Sequence, residues 1–435
     1  MKLFQQLLVA TASLGLIAPI AAQASDVINL EGMNDYNRSK KSSSTRFDSN
    51  TFVNEVNEDL AILKGRVDGL EAQQNNFEAG SFSDTTTLDG KAVFSVGMAD
   101  TDDDALTGQI QANYTYQMNL NSSFTGDDNL YVRLKGGDQG AVWKNSETYH
   151  IETKGTTDAF KVDKIWYQFP VGESITAFVG PRIENYYMYV TPSIYQPGAL
   201  KSMKLGGNSN FGASTDVGFG FKYETDAGFA VASNVVDKSA DGAGTLEGTG
   251  GLLGKYSTRK WDTQLAYTTD RWHVSGTLSD AQNWTSQSYN ATELAAAMTG
   301  TDGDTTGYAL RAYWRPEDSG SATPEVSIGY DIKSADKSAE GAGKQATSYF
   351  VGLTWRDMFQ SDDRIGFAVT QPLKVTECNG TCTSNDVDAF IWEAYYAFKP
   401  NDSMEVRPAI FAGTDVEDST KDDIFGAVLT TSFKF

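Results

Sequence analysis

From about residue 81 to the end of the chain, apolar and polar side chains alternate at every second position in repeated short runs. In residues 108–120 one face consists of Ile110, Ala112, Tyr114, Tyr116, Met118 and Leu120, and the other of glutamine, asparagine and threonine. The same alternation recurs at 216–224, 271–279, 306–315, 325–333, 348–356 and 404–411. A period of two is that of β-strands with one apolar and one polar face. The sequence therefore predicts an all-β domain over residues 81–435.

The distribution of aromatic and charged residues on these strands separates a membrane barrel from a soluble sandwich. Aromatic residues stand at both ends of apolar faces, as Tyr308 does with Trp314 and Tyr349 with Trp355. This placement is typical of the girdles at the edges of a lipid-facing band. The opposite faces carry charges in mid-strand, which are costly in a dry sandwich core but not in a water-filled interior. We predict a transmembrane antiparallel β-barrel of about 16 strands, within a range of about 14–18.

Short and long connections alternate along the predicted barrel, as they do in outer-membrane barrels. The short ones are 226–228, 269–270 and 400–402, and the long ones are 236–260, 280–304, 334–346, 371–386 and 414–421. Inspection gives about 17 candidate strands, but both ends of the barrel should face the periplasm, which requires an even number. We therefore discount one candidate between Leu130 and Lys161, where the alternation is weakest.

The C-terminal strand ends on an aromatic residue after alternating apolar positions. The alternating positions are Phe425, Ala427, Leu429, Thr431, Phe433 and Phe435. The pattern resembles the strand that bacterial barrel-assembly machinery recognises, and Phe425, Leu429, Phe433 and Phe435 are its candidate residues. An ordinary edge strand of a soluble protein is the alternative interpretation.

The N-terminus has the pattern of an export signal. A basic start at Lys2 precedes a mostly apolar stretch over 3–20 and the small residues Ala22 and Ala24. This predicts a signal peptide over 1–24 and places the protein in the outer membrane, an N-terminal membrane anchor being the alternative. Residues 25–52 are rich in Ser, Asn, Asp and Lys and are predicted to be flexible. No other apolar run reaches the roughly 20 residues of a spanning helix.

Residues 53–80 have the period of a coiled-coil helix. Apolar positions alternate three and four residues apart, with one polar member, at Val53, Val56, Leu60, Leu63, Val67, Leu70, Gln74 and Phe77. Such a narrow apolar stripe packs against partner helices, so we predict a short periplasmic coiled coil. Gly65 and Gly69 weaken the helix. A lone helix that packs on the barrel rim is the alternative.

Composition excludes several other functions. The net charge of −22 and the lack of a basic stripe argue against nucleic-acid binding. The only two histidines, His150 and His273, lie far apart, so an enzyme such as an outer-membrane lipase lacks its catalytic set, and no cofactor is predicted. Cys378 and Cys382 flank an Asn-Gly turn. In an exported protein we expect a disulfide between them; a metal site, the alternative, would need more ligands.

The segment 182–211 is the candidate pore constriction. It follows the sixth predicted strand, contains two prolines, and is less acidic than the other long connections. We predict that it folds into the barrel, with the candidate residues Arg182, Glu184, Tyr186, Tyr187, Tyr189, Lys201 and Lys204. An outside loop that packs on a neighbouring subunit is the alternative.

Charged residues on the polar faces are candidates for the pore lining. They are Lys222, Arg311, Arg315, Asp331, Lys333, Arg356, Glu393, Glu405 and Arg407. Rings of such charges set ion selectivity at close range. Here the basic constriction favours anions and the acidic outer loops favour cations, so no ion preference is assigned. Small residues on the same faces favour an open channel, namely Gly218, Gly220, Gly329, Gly352 and Gly366.

Three stretches resemble a known family. They are MKLFQQLL at 1–8, LKGRVDGLEA at 63–72 and FEAGSFS at 77–83. They are similar to cyanobacterial Som-type porins, especially those of marine picocyanobacteria, whose barrel is of the OprB-like, carbohydrate-selective type. The resemblance implies a homotrimer with a periplasmic coiled coil that passes inorganic ions and small solutes by passive diffusion.

The resemblance has one gap, which bears on a second function. Family members usually carry a cell-wall-binding S-layer-homology module before the coiled coil, whereas here only 25–52 precede it, without tryptophan or a helix-turn pattern. A contact with the cell wall through this segment is thus a weaker expectation than contact with outer-membrane lipid. The alternative function is a structural tether or surface protein with a plugged barrel.

Overall fold

The computed structural model describes residues 63–67, 85–100, 108–138, 150–152, 154–207, 210, 212, 215–238, 251–255, 257–286, 290–299, 303–318, 320, 322–335, 337–382, 388–415 and 423–435. The chain divides into two compact units, 1–76 and 77–435. In the first, only the helix 63–67 is described, with Leu63 and Val67 exposed. The predicted signal peptide 1–24, the polar segment 25–52 and the other apolar positions of the predicted coiled coil lie outside the described residues. None of the described helices has the length and apolarity needed to cross a membrane.

The second unit is built from sixteen strands. They are β1 (Thr86–Asp100), β2 (Gln111–Ser122), β3 (Asn129–Gly137), β4 (Lys161–Val171), β5 (Ile175–Ile183), β6 (Asp216–Glu224), β7 (Phe229–Asp237), β8 (Arg259–Thr268), β9 (Trp272–Gln282), β10 (Asp304–Trp314), β11 (Glu325–Ser334), β12 (Gly343–Arg356), β13 (Arg364–Cys378), β14 (Phe390–Asn401), β15 (Met404–Thr414) and β16 (Ile424–Lys434). The described helical pieces of this unit are short: Asn185–Met188, Lys201–Gly206 and Glu293–Ala296.

Each strand pairs antiparallel with its neighbours in the chain, and β1 pairs with β16, so the sheet closes on itself. The closing register places Val93 opposite Ser432 and Gly97 opposite Val428. Closure leaves no strand edge with unpaired backbone groups. The predicted closed antiparallel barrel of about 16 strands is confirmed.

The two faces of each strand differ in burial as the alternation predicts. On β10, Tyr308 and Leu310 are 50% and 56% exposed on the outside, whereas Ala309 between them and Arg311 after them are buried on the inside. Strand β6 repeats the arrangement, with Phe219 and Phe221 outside. The barrel therefore has an apolar outer surface and a polar interior.

Short and long connections lie at opposite ends of the barrel, because successive strands are antiparallel. The short end carries 123–128, 172–174, 225–228, 269–271, 315–324, 357–363 and 402–403, and both ends of the sheet. The long end carries 101–110, 138–160, 184–215, 238–258, 283–303, 335–342, 379–389 and 415–423. In the described part of 130–161, β3 and isolated bridges replace the discounted strand.

Strand β13 is longer than predicted. Residues 371–378 were expected in a loop, but the strand continues to Cys378, which is disulfide-bonded to Cys382. The register with β12 shifts beside Pro372, and proline, which has no N–H to donate, is tolerated at such irregularities. The shift moves Leu373 and Val375 into an apolar cluster with residues of 291–298. The register shift interrupts the apolar–polar alternation near Pro372, and the predicted strand therefore ended before the observed one.

The closure at Gly90 gives a test of the fold. Gly90 and Phe435 exchange two backbone hydrogen bonds, of 2.9 and 3.2 Å. A Cβ at Gly90 would lie 2.6 Å from the carbonyl oxygen of Gln117 and 2.7 Å from the Phe435 ring. We expect Gly90→Ala to lower the free energy of unfolding by about 1–3 kcal/mol, because the backbone of β2 cannot move away. Urea denaturation in detergent micelles measures this.

Gly276→Ala on β9 is the matched control, since the nearest atom to its Cβ would be Leu310 Cδ2 at 3.6 Å, an ordinary contact. Equal stability of the two variants would contradict the tight closure.

Candidate functional site

The described residues of a long stretch after β5 lie inside the barrel. These residues, 184–207, 210 and 212, are called the inserted segment. Its hydrogen-bond partners include inward-facing side chains of β4, β8, β10, β11 and β14. The inserted segment follows the fifth strand, whereas the sequence analysis placed it after the sixth. The difference is the extra strand candidate between residues 130 and 161, which the structure does not contain among its sixteen strands.

One carboxylate on the barrel wall holds the middle of the inserted segment. Glu393 Oε1 accepts hydrogen bonds from Tyr195 Oη at 2.9 Å and from the backbone N–H of Gly198 at 2.7 Å. Its Oε2 accepts from the N–H of Ala199 and Leu200 at 2.9 and 2.8 Å. The side chain is fully buried. Successive N–H groups that converge on a carboxylate form a strong, charge-assisted anchor.

An ion pair on the neighbouring wall holds the end of the inserted segment. Arg311 Nη1 lies 2.7 Å from Asp331 Oδ1, and both side chains are buried. The same guanidinium donates from Nε to the carbonyl oxygen of Leu205 at 3.0 Å and from Nη2 to that of Gly207. Arg311, Asp331 and Glu393 were predicted to line the pore. They do face the interior, but they bind the inserted segment.

Strand β8 supplies anchors that the sequence analysis missed. Asp262 accepts hydrogen bonds from Asn185 Nδ2 at 2.7 Å and from Tyr189 Oη, and Gln264 accepts from the N–H of Val190 at 2.9 Å. Lys260 donates to carbonyl oxygens near the end of the segment. The signal was present as the polar alternation Lys260, Asp262, Gln264. Tyr189, predicted in the constriction, is 4% exposed and anchors the segment instead.

The inward-facing glycines do not leave open space, so their assignment to an open channel was wrong. A Cβ at Gly329 would lie 2.0 Å from the carbonyl oxygen of Gly206, and one at Gly352 would lie 2.7 Å from the Tyr195 ring. These two glycines make room for the inserted segment. The others are filled by neighbours on the wall: Gly366 by Tyr395, Gly218 by Ile183 and Gly220 by Asn234.

Residues 150–152 also reach the interior. Ile151 donates its N–H to the carbonyl oxygen of Ala199 at 2.7 Å, and Glu152 lies 2.7 Å from Lys91 Nζ on β1. Burial lowers the pKa of His150 to about 3, so its ring is neutral at physiological pH. This second inward segment was missed because it lies in the stretch of weakest alternation.

Beside the first residues of the inserted segment, aromatic rings form a stack. Tyr131 packs on Trp166, Trp166 on Tyr187 and Tyr187 on Tyr186, with ring centroids 4.1, 4.4 and 4.6 Å apart. The stack joins the wall formed by β3 and β4 to the inserted segment. Rings at these distances attract one another beyond the area they bury.

Cations surround the segment end of this stack. Lys164 Nζ lies 5.1 Å and Lys204 Nζ 4.0 Å from the Tyr186 ring centroid, within cation–π range. Arg133 Nη1 donates to Tyr187 Oη at 3.4 Å. Glu184 pairs with Lys164. The inserted segment thus brings together Glu184, Tyr186, Tyr187 and Lys204, four of the residues predicted in the constriction.

Arg182 was placed wrongly. It belongs to β5, is exposed, and pairs opposite Ile165, whose neighbours Lys164 and Trp166 point inward. A register shift between Gly180 and Ile183 turns Arg182 to the outer face. Lys201 lies in the helical turn Lys201–Gly206 and is half-buried.

The remaining predicted pore charges face the interior in ion pairs or hydrogen bonds. The contacts are Lys222 with Glu224, Arg315 and Arg356 with Glu325, Glu405 with Arg364 and Arg407, Arg407 with Glu152, and Lys333 with Ser286. Pairing of opposite charges within the wall leaves few single charges to act on a passing ion.

Residues 48–435 match the family described as carbohydrate-selective porin, OprB family. Among curated proteins, the chain is 25% identical to the uncharacterized protein alr4550 of Nostoc sp. over 424 residues, which is 88% of this chain and 71% of that protein. It is 24% identical to the uncharacterized protein sll0772 of Synechocystis sp. over 421 residues, 87% of this chain and 74% of that protein.

Solved structures share the fold. Pseudomonas putida OprB at high pH has a TM-score of 0.54 at 14% identity, covering 81% of this chain and 94% of that one. An anion-selective porin from Comamonas acidovorans has a TM-score of 0.53 at 10% identity, covering 81% and 99%. The Salmonella typhi OmpF complex with daunomycin has a TM-score of 0.51 at 13% identity, covering 80% and 97%.

The Glu393 anchor gives a test of how the inserted segment is held. Glu393→Gln keeps the shape but removes the charge and turns an NH₂ group towards backbone donors. We expect amide hydrogen exchange at Gly198, Ala199 and Leu200 to become roughly 10- to 100-fold faster, because hydrogen bonds to a charged group contribute about 1.5–3 kcal/mol. Exchange detected by mass spectrometry measures it.

Glu405→Gln is the matched control, because Glu405 pairs with Arg364 and Arg407 on the wall. Unchanged exchange in the Glu393 variant, or an equal increase in the control, would contradict the anchor.

Proposed function

The chain belongs to the OprB family of carbohydrate-selective porins, and from this we propose a channel that passes inorganic ions and small hydrophilic solutes by passive diffusion. The family and fold are those of outer-membrane channels for small solutes. The observation that carries the proposal is the inserted segment, held across the interior of a closed barrel by Glu393 and Arg311. The segment sets the width of the channel.

The outer surface suits a barrel that stands in lipid. Apolar residues of neighbouring strands are exposed together, such as Leu265, Val274 and Leu310 at 62%, 58% and 56%. Exposed apolar area of this extent is costly in water and favourable against acyl chains. Trp272 and Trp314, whose ring centroids are 6.0 Å apart, stand at the short-connection end, where an aromatic girdle would lie.

We assign the constriction to the charged and aromatic residues of the inserted segment that are half-buried rather than buried. These are Glu184, Tyr186, Tyr187, Lys201 and Lys204. They keep part of their surface exposed, so we take them to be the side chains that a solute meets. Tyr189 and Arg182 leave the predicted set because the first is an anchor and the second faces outward.

Three further features belong to the proposal. The chain is exported by the signal peptide 1–24, and the coiled coil 53–80 joins three copies. The C-terminal strand carries the barrel-assembly signal, supported by the outward alternation of Phe425, Leu429 and Phe433. Contact with the cell wall through 25–52 completes this arrangement.

A structural tether with a plugged barrel is the second candidate, and one observation favours it. Two segments, 150–152 and the inserted segment, fill part of the interior and contact each other. Single-channel recording in planar bilayers separates the two functions. Current steps support the channel, and closure in groups of three supports the trimer. Silent bilayers with a correctly folded barrel would favour the tether.

The constriction itself is tested by removing its rings. We expect Tyr186→Ala combined with Tyr187→Ala to raise the single-channel conductance, because side-chain volume leaves the pore while the Glu393, Arg311 and Asp262 anchors still hold the segment. Tyr349→Ala is the control, since Tyr349 faces outward and is 39% exposed. An unchanged conductance in the double variant would place the narrowest point elsewhere.

A further inference from the structure

Two pairs of cations face each other directly on the inner wall of the barrel. Arg133 on β3 lies opposite Lys164 on β4, and Lys135 lies opposite Lys161. Across β2, Gln117 separates Lys135 from Lys91 on β1. Like charges directly opposite on adjacent strands destabilise a sheet. Their juxtaposition therefore has a cost that folding alone does not explain.

Most inward-facing cations elsewhere in the barrel have a carboxylate partner. Lys91 pairs with Glu152, Arg311 with Asp331, and Arg364 with Glu405. In the described part of the chain, by contrast, no carboxylate lies within ion-pairing distance of Arg133, Lys135 or Lys204. All three are half-buried on the inside, so they keep some contact with water.

The inserted segment adds to this positive field. Lys204 lies over the Tyr186 ring, and Lys164 also approaches this ring. Two ammonium groups therefore make cation–π contacts with one tyrosine. Burial and the neighbouring charges of Lys201 and Arg133 lower the pKa of Lys204 to about 7. The charged form is thus held at a disadvantage that an entering anion would relieve.

We propose that Arg133, Lys135, Lys164 and Lys204, termed the cation cluster, form a subsite for small oxyanions of the phosphate type inside the channel. The inference rests on the proposed function and names the class of solute that the channel favours. Glu184, paired with Lys164, is the one carboxylate in contact with the cluster among the described residues. Glu152 and Asp163 lie nearby but are paired with other lysines, Lys91 and Lys154, so the positive charge of the cluster is in excess.

The acidic composition of the chain does not oppose this assignment. The net charge of −22 belongs to the whole sequence. Charges farther away than a Debye length of about 10 Å at 0.1 M salt are largely screened, whereas partly buried cations are screened much less in their effect on an ion beside them. The nearest charges decide selectivity.

The test uses the full-length protein in planar bilayers under a KCl gradient, with inorganic phosphate as the probe. We expect a reversal potential of the sign for chloride over potassium, and chloride current that phosphate blocks in a saturable way. Lys204→Met and Lys135→Met should each shift the reversal potential towards potassium and raise the phosphate concentration for half-block about tenfold, the equivalent of one lost charge contact.

Lys399→Met is the matched control, because Lys399 lies near the short-connection end and pairs with Asp362 at 3.2 Å. Conducting channels that prefer potassium and resist phosphate, or equal shifts in the control, would overturn the subsite while leaving the channel intact. A block that does not saturate would show an adventitious effect of charge and would also overturn it. Silent bilayers would overturn the proposed function, and the subsite with it.

Discussion

Closure of the backbone hydrogen-bond ladder between β1 and β16 is the constraint on which the rest of the structure depends. In a closed sheet every strand has two neighbours, so no polar edge remains and the barrel can stand in lipid. Closure also separates an inside from an outside. Alternate residues of a strand therefore meet different surroundings. Leu310 is exposed on the outer surface, whereas Arg311, the next residue in the chain, is buried inside the barrel.

Inward-facing side chains of the barrel provide the hydrogen-bond partners that backbone groups of the inserted segment would otherwise find in water. Backbone N–H and carbonyl groups removed from water must find partners. Glu393 serves three successive N–H groups, Arg311 two carbonyl oxygens and Gln264 one N–H. These inward side chains hold the inserted segment at a fixed position inside the barrel. Charged residues such as Glu393 and Arg311 are used for this purpose, so they do not line the pore.

A solute in the channel is affected mainly by those inward charges that are not paired with an opposite charge on the barrel wall. Most of the described inward ion pairs cancel, whereas the proposed cation cluster leaves a local positive excess that the acidic composition of the chain does not reveal. The aromatic stack from Tyr131 to Tyr186 holds this cluster against the inserted segment. Selectivity in such a channel is a local property of a few side chains rather than of the net charge.

The sequence by itself predicted the barrel, a number of strands close to sixteen and the face of most strand residues, because a period of two persists wherever the strand pairing is regular. It also predicted that a segment over 182–211 folds inward. Only the tertiary structure decided which charges meet: Arg311 pairs with Asp331 through strand register, and Glu393 meets Gly198 although they are distant in the chain. A register shift turned Arg182 outward, and Gly329 proved to be filled by the inserted segment. Contacts of this kind depend on the path of the chain through space, which local alternation does not encode.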